Sequence, residues 1–402
     1  MVVVGIGVVV AAALVGEPDI VWLGFLLVLL PLAGMAAAFL LRPTLSVTRS
    51  VQPQQVPLGE HPRAELRIEN SKWASFSACE FRDTCPGALG AAARFALAHG
   101  AGRWSQSVGY EVRADHRGHF ELGPLDVIHN DPFGLAKCAW QVPGNAATLR
   151  VTPRMFPLAK PRRLIGAGST GDTTPQRIGL SGQDDVLVRE HRQGDDLRRV
   201  HWRMTAKQDE LMVRVEEQPW DPSVTLVVDN RGAAHMGSGP DGGFEWSISA
   251  VASIASTLMS SRCRVTIVSA ETEIFSPVHA DSVSADNRML GAMVDLSDSG
   301  RSSISSGLSH SDSIGSSQSI IAVLGLLGAT DAAALTAVGN RMQQASALVP
   351  DARTWGIDGT RSDDHRAACR LLTASGWILH HHQPDESVVE AWDRLMARVE
   401  AA

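Results

Sequence analysis

The sequence predicts a chain in three parts: an N-terminal transmembrane hairpin, a small all-β sandwich-like domain, and an α/β domain whose parallel sheet carries helices on both faces. Three observations predict it. Ile20 to Leu41 is an uncharged run of 22 residues. Between Leu45 and Thr152 short alternating runs recur, punctuated by Gly and Pro clusters. From Val224 onward apolar runs alternate with helical periods. The boundaries that follow are 1–41 for the hairpin, 42–155 for the β domain, 156–223 for a linker with a charged segment, and 224–402 for the α/β domain. At 402 residues the chain exceeds what one ordinary core organises.

The first element is set by length. Ile20–Leu41 makes about 33 Å of helix, enough to cross a hydrocarbon layer about 30 Å thick. Pro31 lies inside it, which membrane helices tolerate. Val2–Val15 is a second apolar run, separated by the turn Gly16–Asp19. A cleaved signal sequence would carry basic residues ahead of its apolar core, and the first basic residue is Arg42. The reading is a hairpin, or one span preceded by a partial one, in a cell membrane. Arg42 and Arg49 follow the second run while Glu17 and Asp19 sit between the two. Basic flanks stay inside, so the bulk of the chain is expected in the cytoplasm.

Composition narrows the function classes. The net charge of −7 lacks the basic balance that nucleic-acid binding requires. The cysteines are Cys79, Cys85, Cys138, Cys263 and Cys369, with no C-x-x-C pair, which suggests neither a disulfide framework nor a zinc site. No cofactor is expected.

The β domain is read from "AELRIEN", "SVGYEVR", "HFELGPLDVI" and "ATLRVTP", strand-length alternations between turn residues. Downstream, "GAGSTG" (Gly166–Gly171) formally matches G-x-G-x-x-G, but Pro175 falls where the phosphate-binding helix would run, so it reads as a connector.

The segment Arg189–Glu217 holds two histidines, Trp202 and many charges. From His191 to Glu217 six basic residues balance six acidic ones, which argues for an ion-pair network rather than phosphate attraction. Trp202, the large apolar side chain among these charges, is expected to be buried. "DDLRRVHWRMTA" suits a short capped helix and "ELMVRVEE" a strand. His191 and His201 are titratable, but no cleft or perturbed pKa is visible in a sequence.

The α/β domain then runs strand "VTLVVD", helix "FEWSISAVASIASTLMSS", strand "RVTIVSA", helix "ADNRMLGAMVDL", strand "SIIAVLGLL", helix "ATDAAALTAVGNRMQ", strand "GWILHHH" and helix "SVVEAWDRLMARVE". The serine-rich stretch 297–319 reads as a solvated loop. His380 and His382 share one strand face and His381 points away, with no third metal ligand given by spacing. Neither G-x-S-x-G nor H-E-x-x-H occurs, so no catalytic residue is assigned.

The run "VREHRQGDDLRRVHWRMTAKQDELMVRVEEQPWDPSVTLVVD" resembles the signature of the domain of unknown function 58 family, with His191 in place of the usual tyrosine and Val200 for isoleucine. "RGHFELGPLDVIHNDPFGL" matches that family's other recurrent element. The resemblance implies a membrane-anchored protein with a von Willebrand factor A-like α/β domain, no established enzyme activity, and a MoxR-type AAA+ ATPase as partner. It places Gly194, Asp195, Arg198, Trp202 and Arg203 in the signature, in structural or partner-docking roles. The von Willebrand A fold often binds a divalent cation through D-x-S-x-S after its first strand. Asp229, Asn230, Arg231, Gly232 and Ala233 stand there, so both hydroxyls are missing. Arg231 would repel a cation and can pair with Asp229, and Asp331 is a later acidic candidate; this is a degenerate metal site with no metal expected. The function expected is a non-enzymatic membrane scaffold or adaptor. The alternatives are a metal-dependent adhesion or assembly module, and a hydrolase using His191 or His201.

Overall fold

Two apolar helices open the chain, α1 (Val2–Val15) and α2 (Pro18–Leu40). Gly16 at φ +83° ends the first, a left-handed position that glycine adopts without a Cβ clash. Pro18 starts the second, where its missing N–H costs nothing. The helices pack closely because Gly24 has no side chain: a Cβ there would lie 2.5 Å from Val9 Cγ2 and 2.9 Å from Val9 N. Among the described residues α2 is the one helix long and apolar enough to cross a membrane.

The structure is a computed structural model that describes residues 2–40, 42–73, 79–97, 102–130, 137–144, 146–161, 188–190, 200, 202–208, 210–214, 222–276, 282–310, 317–357 and 359–402. It divides into two units. The first holds Met1–Met155 with Gly237–Ile248 and Leu290–Ser297; the second holds Phe156–Met236, Ser249–Met289 and Asp298–Ala402.

In the first unit the strands are β1 (Leu45–Gln52), β2 (Gln55–Pro57), β3 (Arg63–Asn70), β4 (Cys79–Asp83), β5 (Ala93–Leu97), β6 (Trp104–Glu111), β7 (Gly118–Leu122), β8 (Leu125–Asn130), β9 (Lys137–Val142) and β10 (Ala147–Thr152). They form three sheets, β1-β3-β6, β2-β10-β7 and β5-β4-β8-β9, antiparallel except for the β2–β10 pair. Their alternation is what buries one face. In β3 every second residue (Ala64, Leu66, Ile68, Asn70) is buried and the rest are exposed. Arg49 is buried on β1 in an ion pair with Asp83, which also accepts the Tyr110 hydroxyl. Arg49 is therefore not the free flanking charge that the sequence reading takes it for.

The second unit adds β11 (Val188–Glu190), β12 (Met212–Arg214), β13 (Ser223–Val228), β14 (Arg264–Val268), β15 (Glu273–Phe275), β16 (Ser319–Val323), β17 (Gln344–Pro350) and β18 (Ile378–His382). Six of them make one sheet in the order β15-β14-β13-β16-β17-β18. All its pairs are parallel except the β15 edge. β17 and the helix Thr360–Ala374 are absent from the sequence reading. Their sequences explain it: "QASALVP" is short and rich in small residues, and the helix is largely polar. Both nevertheless contribute buried residues to the core, among them Ala347, Val349, Ala368 and Leu372. The final helix Val388–Ala401 begins with a capping box, Ser387 Oγ accepting the Glu390 N–H at 3.2 Å and Glu390 accepting the Ser387 N–H. It buries Trp392, whose Nε1 donates to Ala159 O at 2.9 Å.

Candidate functional site at the carboxyl ends of the parallel strands

The strand order reverses between β13 and β16: from β13 the chain steps outward to β14 and β15, then returns to β16 on the other side. At such a switch point the loops that leave two neighbouring strands diverge and open a crevice beyond the strand ends, the usual ligand position in open α/β sheets. Asp229 directly follows β13 and Gly325 to Gly328 come after β16, so both line this position. It is filled by a side chain of the protein itself.

Arg231 lies between Asp229 and Asp331, all three buried. Its Nε donates to Asp229 Oδ1 at 2.8 Å and its Nη2 to Asp229 Oδ2 at 2.7 Å, a two-pronged match of guanidinium to carboxylate. Nη1 donates to Asp331 Oδ2 at 2.9 Å and to Ser302 O at 3.1 Å, and Nη2 also donates to Leu326 O at 3.2 Å. All five guanidinium hydrogens thus have acceptors. Burial opposes the charge on Arg231, but hydrogen bonding and the field of the two carboxylates outweigh it and raise its pKa.

The carboxylates are equally satisfied. Asp229 accepts the N–H groups of Arg231 and Gly325, each at 3.1 Å. Asp331, in the first turn of the helix Ala329–Gly339, accepts Gly328 N–H at 3.0 Å, Ser303 Oγ at 2.9 Å and Ile304 N–H at 3.1 Å. Gly325 has to be glycine, since a Cβ would lie 2.5 Å from Ala234 O. Beside the cluster, His235 Nε2 donates to Asp229 O at 2.6 Å and Asp298 accepts the Gly232 N–H.

This arrangement holds no open coordination position within the triad. A divalent cation bound to Asp229 and Asp331 would occupy the space of the guanidinium and meet its charge. Chemically the cluster is an ion-paired clamp, one guanidinium shared by two carboxylates, that ties the ends of β13 and β16 to the serine-rich stretch. That stretch is accordingly not the solvated loop read from the sequence. Ser303 and Ile304 bind Asp331, Ile304 and Leu308 are buried, and Ser305–His310 is a short helix. Ile304 and Leu308, apolar residues among the serines, were the available signal.

A second cluster lies on the neighbouring strand ends. The side-chain ligand atoms of His365, Cys369 and His381 all lie within 4.8 Å of one another. The sequence reading singled out His380 and His382 as the facing pair, whereas His381 is the one brought to two residues of the helix Thr360–Ala374. The donor types suit zinc, but the hydrogen bonding of His365 does not. Its Nδ1 accepts Leu327 N–H at 3.0 Å and its Nε2 donates to Pro350 O at 3.0 Å, which fixes the neutral tautomer and uses both nitrogens. Burial lowers the His365 pKa and pushes the Cys369 thiol up to about 12. The group reads as a structural tie between β17 and the loop after β16. His380 Nε2 instead pairs with Glu386 at 2.8 Å, and Glu386 also pairs with Arg394.

Of the signature residues, Gly194, Asp195 and Arg198 lie outside the described residues, as do His191, His201 and Gly166–Gly171. Trp202 and Arg203 stand on the helix Trp202–Gln208, and Met212–Arg214 forms the expected strand, paired antiparallel with β11. Trp202 corrects an expectation: its side chain is 67 % exposed, not buried. Buried Val200, Met212 and Val213 supply the apolar contribution of this segment instead.

Comparison with curated proteins finds no match. Solved structures similar over part of the chain include the CARDB domain of the PF1109 protein from Pyrococcus furiosus, in complex with di-metal ions. It is 10 % identical over 27 % of this chain and 93 % of that one, with a TM-score of 0.20. A non-cellulosomal cohesin from Archaeoglobus fulgidus is 16 % identical over 26 % of this chain and 91 % of that one, with a TM-score of 0.19. The alkylpurine DNA glycosylase AlkC from Pseudomonas fluorescens is 14 % identical over 34 % of this chain and 39 % of that one, with a TM-score of 0.18. At these scores none implies a shared fold. Residues 187–353 match the model of the family described as protein of unknown function DUF58, a match that spans the signature segment and the Asp229–Arg231–Asp331 cluster alike.

Proposed function

We propose that the protein is a membrane-anchored, non-enzymatic scaffold whose von Willebrand A-like domain works without a metal ion and presents its signature segment to a partner, a MoxR-type AAA+ ATPase. One observation carries the reading: at the position where a cation-dependent domain would hold its ion, the Arg231 guanidinium is ion-paired with both Asp229 and Asp331. An internal cation cannot dissociate, so adhesion controlled by cation binding, the competing reading, has no empty site to act through. His191 and His201, the residues of the hydrolase reading, lie outside the described residues. α2 is the anchor, with the bulk of the chain on the cytoplasmic side, and Arg42 and Lys72 are basic residues at its end.

Exposure of Trp202 turns the signature helix into a docking surface rather than a clasp. Trp202→Ala is expected to change unfolding free energy by less than about 0.5 kcal/mol, the range of surface substitutions. The same change should markedly reduce the partner recovered when the full chain is isolated from detergent-solubilised membranes and its companions are identified by mass spectrometry. An AAA+ ATPase should be prominent with the parent chain and depleted with the variant. Recovery of no ATPase with the parent would reject the partnership, and a loss of several kcal/mol in Trp202→Ala would return the segment to a structural role.

A further inference from the structure

The turn that follows β3 lies at the exit of α2. Lys72 Nζ donates at 2.6 Å to Leu40 O, a carbonyl that the end of the helix leaves without an intrahelical partner, and at 3.2 Å to Arg42 O just beyond it. The turn itself is held rigidly. Asn70 is buried; its Oδ1 accepts Lys72 N–H at 3.1 Å, and its Nδ2 donates to Lys72 O at 3.0 Å and to Gly102 O at 2.9 Å. Arg103 Nε donates to Ser71 O at 3.1 Å. Trp73 comes next, and this fixed turn leaves its side chain 77 % exposed. Arg42 stacks over Trp140 of β9 at 4.1 Å, which fastens the helix exit to the sheet.

Three cations, Arg42, Lys72 and Arg103, therefore gather with an exposed tryptophan where the apolar helix ends. The nearby acid Glu69 is engaged by Arg67 at 2.9 Å. A lone exposed tryptophan would need no explanation. This one is positioned by a buried amide and lies level with the end of α2, while Trp22, 74 % exposed, marks the other end. From Trp22 to Leu40 the helix rises about 27 Å, close to the hydrocarbon thickness of about 30 Å. Tryptophan favours both boundaries of that layer, because its ring is apolar and its N–H needs a polar neighbour.

We propose that the Ser71–Trp73 turn is a lipid-contact site: Trp73 lies in the interfacial layer of the leaflet from which α2 emerges, and Arg42, Lys72 and Arg103 take anionic phospholipid headgroups. The β strands that flank the turn then rest on the bilayer surface rather than hanging from a tether. The inference rests on α2 spanning the membrane. Its test uses the full chain in vesicles of phosphatidylcholine and phosphatidylglycerol whose acyl chains are brominated near the headgroup, with quenching of tryptophan fluorescence as the readout. Trp73→Phe should remove about one tryptophan's share, of the 10 present, from the quenched emission, and Trp202→Phe should remove none. Trp22→Phe reports on α2 separately. Loss of quenching with Trp22→Phe but none with Trp73→Phe would overturn the lipid-contact site and leave the anchor standing. No loss with either would overturn both. Quenching of Trp73 that is equal without phosphatidylglycerol would overturn the role of the three cations.

Discussion

Arg231→Met is expected to destabilise the protein by about 3–5 kcal/mol, the cost of removing one partner from a buried ion pair. The side chain keeps an unbranched apolar stem and loses its charged end, so Asp229 and Asp331 are left buried without the guanidinium. Their remaining donors, the backbone N–H groups of residue 231, Gly325, Gly328 and Ile304 with the Ser303 hydroxyl, supply hydrogen bonds and no charge. Urea unfolding of the full chain in detergent, followed by tryptophan fluorescence, measures this. A variant within about 1 kcal/mol of the parent would mean that the triad is not a clamp, since the smallest expected cost is three times larger. The parent should also show no rise in thermal midpoint with Mg²⁺. The double change Arg231→Ser with Ala233→Ser restores both hydroxyls of D-x-S-x-S, and there Mg²⁺ at a hundredfold excess over its Kd should stabilise by about 2.7 kcal/mol. A saturable shift in the parent would reinstate the cation-dependent reading.

Acid should unfold the protein through its buried imidazoles. Burial lowers the pKa of His235, His365 and His381, and that of His382 to about 3, with the nearby His380, His235 and His381 adding to the effect on His382. The sign follows from where the proton binds. Above the ordinary histidine pKa of about 6.5 both states are neutral and stability is complete; below it the unfolded chain takes up protons that the folded one refuses. Stability then falls as pH falls, and for His382 the loss continues down to its folded pKa of about 3. Between about pH 6.5 and pH 5 that residue alone should cost about 2 kcal/mol. His382→Gln should flatten this part of the pH profile of urea stability. A parent and variant with the same slope over that range would show that His382 is not the group refusing the proton.

Much of this architecture is written in local sequence patterns. The uncharged run in α2, the strict alternation of β3 and the continuous apolar strand β13 each follow from the covalent geometry of the backbone. A period of two or of 3.6 decides which side chains share a face, whatever the rest of the chain does. The pairing of Arg231 with Asp229 is legible for the same reason, since the two residues are two positions apart. β17 escaped because alanine and serine carry little periodic signal, although the sheet buries them completely.

The tertiary structure decided the remainder. Burial of a tryptophan depends on what the fold lays over it, and Trp202, which looked like core, is largely exposed. The third member of the triad, Asp331, lies 100 residues from Arg231. Ser303 and Ile304 reach it from a stretch whose composition alone spoke for solvent. His365, Cys369 and His381 meet from a helix and a strand that no spacing rule joins. Each depends on the strand order that sets β13 beside β16 and β17 beside β18. Sequence periodicity determines which face of an element seeks the interior, because that preference is local. Only the crossover connections bring strand ends together, and buried charges acquire partners there.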